Sequence, residues 1–151
     1  MVQDARQRTK VYLDTYLDNS KLLKDDGSTQ VKFIVAFGKP DYPITKVFKT
    51  KGVDLVFSVS TPTSTPLMDP VTQAPYGYEE HVPVETGCID KSGITGTKLK
   101  DQAKIELRRV LENYPTGSQR ATLREEGNDY HLGSTPIYSD IVIINYRRDT
   151  T

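Results

Sequence analysis

The sequence predicts an α+β domain: one antiparallel sheet of about four strands, two amphipathic helices packed on one face of it, and a long Pro/Ser/Thr-rich loop. Three observations lead there. Two segments repeat apolar residues at helical spacing, and several shorter ones alternate apolar with polar residues or are solidly apolar. The order helix, strand, strand, strand, helix, strand contains no β-α-β repetition, which argues against a doubly wound parallel sheet. At 151 residues, the chain suits a single domain over 1–151 that buries roughly two thirds of its unfolded surface.

The first helix covers Val2 to Leu17. Val2, Ala5, Thr9, Tyr12, Leu13, Tyr16 and Leu17 form one stripe, and Asp4, Arg6, Gln7, Arg8, Lys10, Asp14 and Asp18 cover the other face. Asn19-Ser20 and Asp25-Asp26-Gly27-Ser28 end it in a turn. Val31 to Phe37 reads as a strand with both faces at least partly covered, closed by the breaker Gly38-Lys39-Pro40-Asp41-Tyr42-Pro43. After Gly52 a second strand sets Val53, Leu55, Phe57 and Val59 against Asp54, Val56 and Ser58, an alternation that suits an antiparallel sheet.

Ser60 to Gly77 holds Pro62, Pro66, Pro70 and Pro75 among serines and threonines. Proline excludes helix and sheet interior. A free linker has no use for Leu67, Met68 and Tyr76, so the segment is expected to be an extended loop or arm that reaches a neighbour. Tyr78 to Val84 is a third strand whose Pro83 points to an edge position or a bulge. The second helix opens at Gly96-Thr97, with Thr97 as candidate N-cap, and places Leu99, Ala103, Leu107, Val110 and Tyr114 on one stripe flanked by Ile105 and Leu111. Pro115-Thr116-Gly117 ends it. Residues 118–136 are polar, with a short strand at Ala121 to Arg124. Ile137 to Tyr146 is a central strand, because Ile141 to Ile144 are consecutive apolar residues.

Composition excludes several functions. Twenty basic residues balance twenty acidic ones, which argues against a dedicated nucleic-acid binder. The charge is nonetheless patched. Lys32, Lys39, Lys46, Lys49 and Lys51 mark residues 31–60, whereas 61–90 lack any Lys or Arg and carry Asp69, Glu79, Glu80, Glu85 and Asp90. These patches are either ordinary solvated surface or complementary contacts between copies of the chain. No run of apolar residues is long enough to span a membrane, and the polar Met1-Val2-Gln3-Asp4 start has no signal-region character, so synthesis in the cytoplasm is expected. The single cysteine, Cys88, fits a reducing compartment and reads as a small semi-buried residue.

The search for chemistry is unproductive. His81 and His131 are far from metal-ligand spacing, and each reads as a surface residue, His131 in a loop. Lys91 to Lys98 is glycine-rich but lacks the spacing of a phosphate-binding loop. Cys88 has no base implied beside it, and no serine sits in a nucleophile elbow. Asp54 and Glu85 could be assembled as a nuclease pair, yet no E-x-K follows on a strand. The expectation is therefore a non-enzyme without catalytic residues, cofactor or metal. Arg6, Arg8 and Lys10 on the first helix are candidates for a lumen-facing or DNA-facing lining.

This series of elements resembles the tail-terminator and head–tail (neck) completion proteins of long-tailed bacteriophages. The N-terminal amphipathic helix, two apolar strands and long loop carry the likeness. So do the strand Tyr78-Glu79-Glu80-His81-Val82-Pro83-Val84, the helix opening Gly96-Thr97-Lys98-Leu99 and the final strand Ile137 to Tyr146. The resemblance implies a structural protein of the virion, made in the host cytoplasm, that forms a ring, usually a hexamer. Such a ring caps the tail tube and meets the head connector. Its partners would be copies of itself, the tail-tube protein and a head-completion or connector protein, with DNA passing through the lumen and no membrane. Another neck or minor tail protein, or a small nucleic-acid-binding domain, is the alternative. Lys46, Lys49, Lys51, Pro66, Leu67, Met68, Asp69, Tyr76, Glu79 and Glu80 are the candidate interface residues.

Overall fold

The computed structural model describes residues 5–37, 52–114 and 121–149. The elements run α1 (Ala5–Tyr16), a single 3-10 turn (Asn19–Lys21), β1 (Phe33–Phe37), β2 (Leu55–Val59), β3 (Thr63–Met68), β4 (Pro75–Cys88), α2 (Gly96–Leu111), β5 (Thr122–Gly127), β6 (Tyr130–Leu132) and β7 (Thr135–Asp149). They make one seven-stranded sheet in the order β1-β2-β4-β7-β5, with β3 paired to β4 and β6 to β7. The expected four-stranded antiparallel sheet with two helices on one face is thus overturned. The sheet is mixed, because β1 and β2 run parallel while every other pair is antiparallel. Strand, not helix, dominates the chain.

The extra strands come from segments whose side chains conceal them. Ser60 to Gly77, expected as an extended loop, is a β-hairpin formed by β3 and the start of β4. The short strand expected at Ala121 to Arg124 is present as the longer β5, and the polar stretch after it contains β6, so His131 lies in a strand and not in a loop. β5 is largely exposed and polar, so it lacks an apolar alternation, and β6, Tyr130-His131-Leu132, is too short to show a period.

Register explains how the prolines are accommodated. Val59 pairs with Val84, and the Ser60 N–H donates to the Pro83 carbonyl at 3.0 Å. Thr63 then pairs with His81. From Ser60 to Thr63 the chain advances three residues while β4 advances two, so Thr61-Pro62 is a one-residue bulge. β2 and β3 are two halves of one bent strand along the 14-residue β4. Pro83 was expected to mark an edge position or a bulge; β4 is paired on both sides, and on the partner strand a bulge lies beside Pro83. Its carbonyl points toward the bulge, and its nitrogen points the same way, as both groups of one strand residue do. The missing N–H therefore falls where the ladder is interrupted after Ser60.

Two apolar clusters hold the layers together. The larger joins Leu13 and Leu17 of the α1 region, Leu99, Ala103, Leu107 and Val110 of α2, and Leu55, Phe57, Val59, Val82, Val84, Val142 and Ile144 of the sheet. The smaller, on the other face, packs Val53, Val56, Ile89 and Ile137 against Ile34, Tyr130 and Leu132. β7 lies between β4 and β5, which buries Val142, Ile143 and Ile144. Thr9, inside the helical stripe, is fully buried because its hydroxyl bonds the Ala5 carbonyl at 2.7 Å and the Tyr114 hydroxyl at 2.9 Å.

α2 opens at Gly96 as expected, but its N-cap lies two residues earlier than the sequence suggests. Thr95, not Thr97, holds the N-cap position, and its own side chain does not cap. The Asp25 carboxylate instead accepts from Thr95 N (3.0 Å) and Oγ1 (2.7 Å), while Asp90 accepts from Gly96 N at 2.7 Å. Gly96 has no room for a side chain, since a Cβ there would lie 2.1 Å from Tyr138 Cδ2.

Candidate interaction surface

The β3–β4 hairpin is the most distinctive surface. Its lower half is stiffened by a third strand, because β7 runs beside β4 as far as the Gly77–Asp149 pair. Glu80 is buried there. Its carboxylate accepts from Arg148 Nε at 2.7 Å and from Ser64 Oγ at 3.4 Å. Arg148 lies over the Tyr78 ring (4.8 Å) and Arg147 over the Tyr76 ring (5.0 Å). The hairpin is thus locked by cation–π and ionic contacts along one side.

The turn at its end is organised by Asp69. Its Oδ1 accepts from Val71 N at 2.8 Å and Thr72 N at 3.0 Å, its carbonyl from Gln73 N at 2.8 Å, and its N–H donates to the Ala74 carbonyl at 3.0 Å. The Thr72 and Val71 amides hold the Asp69 carboxyl below its ordinary range, so it stays ionised. Gln73 takes a left-handed conformation at φ 56° to close the turn. Around this turn Met68, Val71 and Tyr76 are 47%, 88% and 46% exposed. Three large apolar side chains so close together at one tip make a patch that water solvates poorly.

The candidate interface residues divide. Pro66, Met68, Asp69, Tyr76 and the half-buried Leu67 come together in the hairpin, and exposed Glu79 lies at its flank, 3.7 Å from His81. Glu80 is internal. Glu85 is also buried, accepting from Asn128 Nδ2 (2.5 Å) and Ser139 Oγ (3.1 Å), so the acidic 61–90 segment presents less surface charge than its composition suggests. Lys46, Lys49 and Lys51 lie outside the described residues. Arg6, Arg8 and Lys10 are half-buried and engaged within the chain. Arg6 Nε donates to the Val59 carbonyl at 3.0 Å, Arg8 Nη2 to the Tyr146 hydroxyl at 2.8 Å, and Lys10 pairs with Asp14 at 2.7 Å.

The remaining chemical candidates are separated. Asp54 pairs with Lys91 at 2.8 Å and caps Lys32 N at 2.9 Å, whereas Glu85 bonds Asn128 and Ser139. His81 Nδ1 contacts Asn145 Oδ1. Cys88 is fully buried, more so than expected, and burial followed by the nearby Asp90 charge pushes its thiol up to about 12, which leaves it inert. Among the described residues no group of three or more His, Cys, Asp or Glu side chains converges as a metal site, and no helix is long and apolar enough to cross a membrane.

A second surface lies between the helices. Tyr12, Tyr16, Arg109, Val110 and Asn113 line a cavity of about 430 Å³. The Tyr12 ring lies 4.7 Å from Tyr16 and 5.3 Å from Tyr114, and its hydroxyl donates to the Asn113 carbonyl at 2.9 Å. Arg109 forms the polar wall. The buried Glu106 accepts from its Nε at 2.5 Å and Nη2 at 3.0 Å, and Nη2 also donates to the Tyr16 carbonyl at 3.2 Å. Sequence reasoning placed Tyr16 in the buried stripe of the first helix. It is 56% exposed, because α1 rolls so that Thr9 and Leu13 face the sheet. The Tyr12–Tyr16 spacing carried the signal, but helical spacing does not say which side of a stripe stays open.

No protein-family model matches the chain, and neither does any curated protein.

Proposed function

We propose that this chain is a structural, non-enzymatic protein of a phage-like virion, which forms a hexameric ring that caps the tail tube and joins it to the head connector. The observation that carries this reading is the β3–β4 hairpin, an arm braced by a third strand and ending in exposed Met68, Val71 and Tyr76. An arm of this kind suits docking onto another protein better than it suits binding a small molecule, whose sites are concave. The resemblance in element character to tail-terminator and neck proteins supplies the biological setting, the virion tail or neck. In that setting the partners are further copies of the chain, the tail-tube protein and a head-completion or connector protein.

Native mass spectrometry of the chain, alone and mixed with the tail-tube protein encoded beside it, tests the reading. Rings or a tube-bound assembly are expected. A strict monomer under both conditions at micromolar concentration overturns it. Nucleic-acid binding draws no support from Arg6, Arg8 and Lys10, whose head groups bond within the fold. A gel shift that fades steeply with salt would reinstate it.

A further inference from the structure

We draw no further inference here: the strongest candidate, the exposed apolar patch of Met68, Val71 and Tyr76 at the tip of the β3–β4 hairpin, carries nothing beyond the function proposed above, because nothing in the structure shows what covers it.

Discussion

Several side chains that looked available for chemistry are committed to the fold, and Cys88 is the clearest. Enclosed by the sheet and α2, it donates to the Gly96 carbonyl at 3.4 Å. Its thiol ionises near 9.0 in an open chain and at about 12 in the fold. In that interval the unfolded chain has lost a proton that the folded chain keeps, so stability is fully present below pH 9 and declines as pH rises toward 12. Burial raises Tyr146 in the same sense. The expected outcome is a melting temperature that falls above about pH 9, with a shallower fall in Cys88→Ala. A thiol reagent should label Cys88 only in denaturant; rapid labelling of the native protein would contradict the burial. The composition showed one lone cysteine, but only packing could show how thoroughly it is enclosed.

Among the elements, the two helices and the apolar strands were legible because burial imposes a period on sequence. Leu13 and Leu17 in one segment, and Leu99, Ala103, Leu107 and Val110 in another, mark faces that had to be covered. β3 and β6 were not legible, and β5 was legible only as a shorter strand at Ala121 to Arg124. The side chains of β3 and β5 are mostly exposed, and β6 is only three residues long with Tyr130 and Leu132 half-buried on the smaller cluster, so pairing with β4 and β7 leaves little trace in side-chain character. Proline was misleading for the same reason: it disfavours a central strand but is tolerated on a free edge, where its missing N–H costs nothing. Replacing Pro62 and Pro66 with Thr restores donors along that edge. The double variant should keep the fold and gain concentration-dependent aggregation, visible as light scattering, that the parent lacks. An unchanged, non-aggregating double variant would show that the prolines do not guard the edge.

Across the molecule, the helices are tied to each other as well as to the sheet. Buried Glu106 of α2 accepts from Asp18 N, just past α1, at 2.7 Å, and it holds Arg109, which reaches the Tyr16 carbonyl. One carboxylate therefore sets the spacing of α1 and α2 and with it the shape of the groove. Glu106→Ala strands these donors and should cost about 2–3 kcal/mol, or about 5–10 °C in melting temperature. Glu106→Gln should recover part of that loss. Equal loss in both variants would mean that charge, not hydrogen bonding, is what matters.

The sequence alone determined where the apolar faces lie, that two helices flank the strands, and that no familiar catalytic motif is present, since each is a matter of residue type and period. It also singled out residues 60–77, but misjudged their form. The parallel pairing of β1 and β2, the bent β2–β3 strand, and the braced hairpin were settled by the tertiary structure. So were the burial of Glu80 and Glu85 and the open groove at Tyr16. Each of these depends on which strand a backbone pairs with and which side of a helix meets a neighbour, relations between distant residues that no local pattern encodes.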